Sequence, residues 1–204
     1  MIDSLTRSQR QRGWDHVGRM VAKLGVSANQ VTVLGTLAVL LHCLAYPFHG
    51  SALAFGLGLA ALEETDNLDG AVARVTGTSS KWGAYLDAST DRYKDAAALL
   101  AVAWVHDLWL PAFIAAVGAV HTSYAKARAA MEAPVDNGSW PDLFERLERV
   151  VLLCGGLAVA GLATEGRLWG VDVVAATVWI LAVGTQLTVL QRQHRAWTLL
   201  RDAD

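Results

Sequence analysis

The chain has 204 residues, 53% of them apolar, a formal net charge of −2 and a mean hydropathy of +0.32. That composition is too apolar for an ordinary soluble domain, and the charges are clustered rather than spread, which points to an all-α integral membrane protein. Cys43 and Cys154 each sit inside an apolar run, which excludes a disulfide framework or a zinc motif and leaves them as small buried residues.

In chain order, residues 1–24 predict an amphipathic juxtamembrane helix. Leu5, Trp14, Val17, Met20, Val21 and Leu24 interleave with Arg7, Arg10, Arg12, Arg19 and Lys23, which suits a helix lying on a membrane with its basic side toward anionic head groups. The segment lacks the short apolar core of a cleavable signal, so insertion is expected to rely on internal spans. Gly25 ends it, and Ser27 or Asn29 can cap the next helix.

Six transmembrane helices are predicted within 31–192, at about 31–48, 51–75, 82–105, 108–131, 143–163 and 168–190. The connector at 133–142 carries Pro134, Asp136, Asn137, Gly138 and Pro141 and reads as a turn-rich loop. The expected fold is a single domain over 1–204, a six-helix bundle preceded by the surface helix. Basic residues fall on one side of this layout: the amino-terminal set, Arg74, Lys81, Lys126, Arg128, Arg146, Arg149, Arg192, Arg195 and Arg201, with Arg167 opposite. That asymmetry predicts a multi-pass cell-membrane protein with both termini and the active site at the cytoplasmic face. Trp82, Trp109, Trp140, Trp169 and Trp197 lie near span ends, where interfacial anchoring and core packing explain any single tryptophan equally well.

The chemistry concentrates between Asp66 and Asp91. On helices, Asp66 and Asp69 are three apart and Asp87 and Asp91 four apart, so each pair projects from one helix face. Two facing pairs place carboxylates in one small volume, where repulsion and desolvation call for a hard divalent cation such as Mg²⁺ or Mn²⁺. Acids within a membrane usually mark a function. Gly70 and Gly83 permit close backbone approach by a ligand, and Arg74 is suited to a phosphate oxygen. Carboxylates, divalent ions and an arginine together fit phosphoryl transfer.

These residues match DxxDGxxARx(8)GxxxDxxxD, the signature of the CDP-alcohol phosphatidyltransferases, which the chain resembles at Asp66, Asp69, Gly70, Ala73, Arg74, Gly83, Asp87 and Asp91. Ser27, Asn29, Val31 and Thr32 also resemble the S-x-N-x-V-T entry to that family's first membrane helix. The resemblance implies that Asp66, Asp69, Asp87 and Asp91 hold two divalent cations, Mg²⁺ or Mn²⁺, on the diphosphate of a CDP-linked lipid such as CDP-diacylglycerol. It implies that Gly70, Ala73 and Arg74, with Thr32 and Ser80 beside them, contact the nucleotide. Asp91 would double as the general base for the acceptor hydroxyl, and CMP would leave. The resemblance also implies a homodimer.

S-Y-A-K-A-R at 123–128, E-R-L-E-R at 145–149 and Leu190-Gln191-Arg192 resemble the phosphatidylinositol phosphate synthase branch of the family. That implies a basic pocket of Lys126, Arg128, Arg149 and Arg192 for a phosphorylated polyol, inositol phosphate first. Glycerol 3-phosphate, giving phosphatidylglycerol phosphate, would use a similar pocket and is the alternative acceptor. An intramembrane prenyltransferase and a cation transporter are the readings from other classes. Asp95 is a candidate hydrogen-bond partner near the site, or a helix-face charge paired with a cation. His42, His106 and His121 are isolated polar residues, and no nucleic-acid partner is expected.

Overall fold

A computed structural model describes residues 2–133 and 144–201, with side chains from residue 11 onward. The side chains of Leu5, Arg7 and Arg10 and the connector residues Pro134 to Pro141, with Trp140, lie outside the described residues. The chain is all-α. Its elements are α1 (Ile2–Lys23), α2 (Ala28–His49), α3 (Ala52–Glu63), α4 (Thr65–Thr76), α5 (Lys81–His106), α6 (Trp109–Glu132), α7 (Arg146–Leu162) and α8 (Val173–Arg201). Two short antiparallel strands, β1 (Arg167–Leu168) and β2 (Val171–Asp172), precede α8.

The helix boundaries follow from local chemistry. Gly25 has φ +78°, and Ser27 then forms a reciprocal capping box with Gln30: Gln30 N donates to Ser27 Oγ at 3.3 Å, and Ser27 N donates to Gln30 Oε1 at 2.8 Å. Gly77, at φ +66°, closes α4 with Gly77 N donating to Arg74 O and Thr78 N to Ala73 O. Ser80 Oγ caps α5 by accepting from Gly83 N at 3.0 Å, and Asp172 Oδ1 caps α8 by accepting from Ala175 N at 2.9 Å.

Two predicted spans differ from the observed elements. The stretch 51–75 is two helices rather than one, because the chain turns at Glu64 between α3 and α4. There Thr65 Oγ1 donates to the Leu62 carbonyl, and Asn67 Nδ2 donates to Glu64 Oε2. The last span begins at Val173 rather than 168, since Trp169 and Gly170, both at positive φ, turn the strand pair. Among the described residues, α2 and α8 are the two helices long and apolar enough by composition to cross a membrane.

The chain divides into two compact units, residues 1–42 with 58–94 and residues 43–57 with 95–204. In the first, α1 meets α4 where Gly18 lies against Ala71: a methyl at Gly18 would come 3.0 Å from the Ala71 carbonyl carbon and Cβ. α2 meets the start of α4 where a methyl at Gly35 would collide with Thr65 Oγ1. Small residues let the backbones approach this closely.

In the second unit, Tyr46 stacks on Phe55 with ring centroids 4.0 Å apart, and its hydroxyl is 2.6 Å from His106 Nε2. Gly56 lies against Leu157 and the Cys154 carbonyl, Gly156 against Thr177, and Gly118 against Thr185, so glycines line successive helix contacts here too. Gln186 Nε2 donates across to the Ile114 carbonyl at 2.9 Å. Cys43 and Cys154 are both buried, as their apolar surroundings predict.

Candidate active site

The site lies in the first unit and is built by the α4–α5 hairpin. Asp66 and Asp69 project from α4 and Asp87 from α5, and one carboxylate oxygen from each lies within 4.8 Å of the others. These are hard oxygen donors, and oxygens sharing one Mg²⁺ or Mn²⁺ lie about 3–4.3 Å apart, so the group can close on such an ion with little movement. Asp69 is buried, and Thr32 Oγ1 on α2 donates to its Oδ2 at 2.6 Å, fixing the carboxylate from behind. Asp91, also buried, is held differently: Lys94 Nζ is 3.1 Å from Asp91 Oδ1, and Arg92 Nη1 is 3.8 Å from Asp91 Oδ2. Lys94 also forms an ion pair with Asp66. The four acids of the motif are therefore three clustered carboxylates plus one tied to them through a lysine.

Beside the carboxylates is a cavity of about 240 Å³ whose lining includes Thr32, Asp69, Gly70, Ala73, Arg74, Ser80 and Asp87. All five candidate nucleotide contacts therefore reach one concave surface with two of the acids. The two glycines leave room there. A methyl on Gly70 would come 3.2 Å from Arg74 Nη1, and one on Gly83 would come 3.3 Å from Asn29 Oδ1 and Ser80 Oγ. Ser80 serves as both helix cap and cavity wall, which ties the wall to the start of α5.

Three further residues belong to this region. Asn29, a cap candidate that is also part of the S-x-N-x-V-T resemblance, lines the cavity. Asp15 on α1 accepts from Arg74 Nη2 at 2.9 Å and from Nε at 3.2 Å. Lys94 follows Asp91 by three residues, a helical spacing that places both on one face, and that spacing was the available signal. Asp15 is an isolated acid in a basic helix, and nothing local in the sequence selects Arg74 as its partner.

The four candidate acceptor residues lie in the second unit, each in a different setting. Arg149 Nη2 donates to Asp95 Oδ2 at 2.8 Å and Nη1 to the Phe144 carbonyl at 3.2 Å, while Arg146 Nε is 3.4 Å from Asp95 Oδ1. Asp95 is thus paired with cations, one of the two roles expected of it. Arg192 is buried and donates to the Thr122 carbonyl. Arg128 pairs with Glu132 and lines a separate cavity of about 620 Å³ with His121, Tyr124 and Gln193. Lys126 is half-buried on α6. The helices do not gather these four side chains around a single described cavity.

The class of scaffold is an all-α fold with a carboxylate cluster suited to a divalent ion beside a glycine-walled polar cavity. The family model described as CDP-alcohol phosphatidyltransferase matches residues 25–190, and the chain belongs to that family. It is 32% identical over 195 residues to an archaetidylinositol phosphate synthase from Pyrococcus horikoshii, covering 95% of both chains. Its fold is similar to the crystal structure of Mycobacterium tuberculosis phosphatidylinositol phosphate synthase with CDP-DAG bound, with a TM-score of 0.81, 29% identity and coverage of 92% of this chain and 94% of that one. The same enzyme in complex with manganese and citrate gives a TM-score of 0.80 at 30% identity, covering 91% and 89%.

Proposed function

We propose that this enzyme transfers a phosphatidyl or related lipid phosphoryl group from a CDP-linked lipid to a hydroxyl of a phosphorylated polyol, inositol phosphate foremost, releasing CMP. The observation that carries this reading is the convergence of Gly70, Ala73, Arg74, Thr32 and Ser80 with Asp69 and Asp87 on one cavity. A cation path has no use for such a wall, and a prenyltransferase would place its acids on well-separated helices. Relatives named for inositol phosphate lipids over almost the whole chain favour that acceptor over glycerol 3-phosphate.

Asp66, Asp69 and Asp87 would hold a divalent ion, and Asp91 would complete a second position. When bound, the ions neutralise the diphosphate and polarise its phosphorus–oxygen bonds. Arg74 binds a phosphate oxygen through its guanidinium, and Gly70 and Gly83 let the nucleotide approach the backbone. Asp91 Oδ takes the proton from the acceptor hydroxyl as that oxygen attacks the lipid-side phosphorus; the bond to the CMP oxygen breaks, and CMP carries away the electron pair. Lys126, Arg128, Arg149 and Arg192 supply positive charge for a dianionic acceptor. Arg149 is tied to Asp95, four residues after Asp91 in the chain.

Six membrane-spanning helices, a surface-lying α1, cytoplasmic termini and a homodimer belong to the same proposal. Exposed apolar stripes support the membrane setting: Leu34, Leu37, Leu41, Leu44 and Phe48 run along one side of α2, and Ile180, Val183, Leu187 and Leu190 along α8. Met20 on α1 and Leu24 just after it are exposed, as a lipid-facing edge requires.

The test is CMP release from CDP-diacylglycerol by the purified protein with Mg²⁺ or Mn²⁺, offering inositol 1-phosphate, glycerol 3-phosphate, inositol and serine in parallel. Turnover with inositol 1-phosphate above the others is expected. Preference for an unphosphorylated acceptor would sink the basic-pocket assignment, and unchanged release by Asp91→Asn would remove Asp91 as the base.

A further inference from the structure

Lys94 has a role that the transfer reaction does not assign. Its side chain is 1% exposed, so its ammonium has no solvent and depends on the acids around it. Those acids include Asp66 from α4 and Asp91 from one turn earlier on α5, and both belong to the proposed metal set. Lys94 therefore sits on the side of the site that joins the Asp66–Asp69–Asp87 cluster to Asp91.

We propose that the Lys94 ammonium is a resident cation that occupies the Asp66–Asp91 side of the site, so that a second divalent ion loads only together with an anionic diphosphate. The inference rests on the metal-site reading of the four aspartates. Four carboxylates and one ammonium leave three net negative charges. One divalent ion on the cluster reduces this to a single charge. A second ion then competes with Lys94 for the same oxygens and makes the site net positive, in a low-dielectric setting where uncompensated charge is strongly disfavoured. The diphosphate of a CDP-lipid removes that excess. Lys94 thus couples ion loading to substrate binding and keeps Asp91 oriented until the substrate arrives.

The experiment is Mn²⁺ binding to the purified full chain, read from the electron paramagnetic resonance signal of free Mn²⁺, with and without CDP as the diphosphate probe. The wild type is expected to bind about one Mn²⁺ tightly without CDP and about two with it. Lys94→Met should bind about two without CDP, its second site about tenfold or more tighter than that of the wild type. Lys94→Arg, which retains the charge, should behave as the wild type. Identical isotherms for the wild type and Lys94→Met overturn the role of Lys94. If Asp69→Asn leaves the wild-type isotherm unchanged, the metal-site reading falls and this inference with it; loss of binding in Asp69→Asn beside identical wild-type and Lys94→Met curves overturns Lys94 alone. Should Lys94→Met fail to fold, as judged by its circular dichroism, the wild type decides: two ions of equal affinity without CDP overturn the proposal.

Discussion

Arg74 of the motif is held by Asp15 of the amino-terminal helix, with Nη2 at 2.9 Å and Nε at 3.2 Å from the same Oδ1. The contact uses two guanidinium nitrogens, so it fixes the plane of the group as well as its place. It gives α1 a structural part beside its proposed place on the membrane surface, since its packing at Gly18 against Ala71 accompanies the contact of Asp15 with Arg74, which lines the cavity.

Asp15→Asn should therefore raise the KM for the CDP-lipid and leave the acceptor KM unchanged. Both partners are partly exposed, at 42% and 25%, so the pair is screened and the effect is modest, about two- to fivefold. Arg74→Ala, which removes the proposed phosphate contact itself, should cost about a hundredfold in kcat/KM. Steady-state kinetics with each substrate varied in turn checks both, and an acceptor-side effect of Asp15→Asn would contradict the positioning role.

Thr32 was expected as a nucleotide contact, and its hydroxyl is committed to Asp69 Oδ2 at 2.6 Å while it also lines the cavity. Asp69 is a proposed metal ligand; a hydrogen bond to such a carboxylate orients it, and its loss typically weakens metal binding by about tenfold or more. Thr32→Val, similar in shape but without the donor, should weaken Mn²⁺ affinity by about that factor. Titration of activity with Mn²⁺ after chelation would show the shift. A raised CDP-lipid KM at saturating Mn²⁺ with unchanged metal affinity would return Thr32 to the nucleotide.

Fixed spacing made most of the candidate-site hairpin legible. Asp66 and Asp69, and Asp87 and Asp91, are neighbours by helical geometry alone, and Gly70 and Gly83 needed only the absence of a Cβ to predict close approach. What spacing does not carry is partner choice across the chain. Asp15 with Arg74 is separated by 59 residues, and Arg149 with Asp95 by 54, and neither pairing follows from local pattern. The break at Glu64 was equally hidden, since apolar composition runs up to Leu62 directly before the acidic motif, and the Thr65 Oγ1 bond to the Leu62 carbonyl at the break is not marked in the sequence. Lys94 is the instructive omission: its spacing to Asp91 was visible, but a lysine beside an aspartate reads as a surface pair until its burial is known.

Packing supplies a stability prediction independent of chemistry. A methyl at Gly35 would collide with Thr65 Oγ1, and that hydroxyl anchors the α3–α4 turn, so it cannot rotate away without losing its bond to the Leu62 carbonyl. Gly35→Ala should destabilise the protein by about 1–3 kcal/mol, the usual range for overpacking. Thr65→Ala removes the colliding atom, and in the double variant the two losses should be less than additive. Thermal unfolding in a fixed detergent measures this, and strict additivity would show that the two sites do not touch.

The acceptor side is best tested by separating two arginines that share one acid. Arg146 and Arg149 both approach Asp95, but Arg149 makes the shorter contact and also donates to the Phe144 carbonyl, so its guanidinium is fixed at both ends. A fixed guanidinium is pre-organised for phosphate, whereas the charge of Arg146 is expected to follow from the proposed cytoplasmic placement of the basic residues. Arg149→Ala leaves Asp95 with Arg146 as a counter-charge, so the variant is expected to fold. Its KM for inositol 1-phosphate should rise about tenfold to a hundredfold, the loss of one strong charge-assisted contact, while the KM for the CDP-lipid changes little. Arg146→Ala should move the acceptor KM by less than about threefold. Equal effects of Arg149→Ala on both substrates would mark Arg149 as a structural partner of Asp95 and shift the acceptor phosphate toward Lys126 and Arg128.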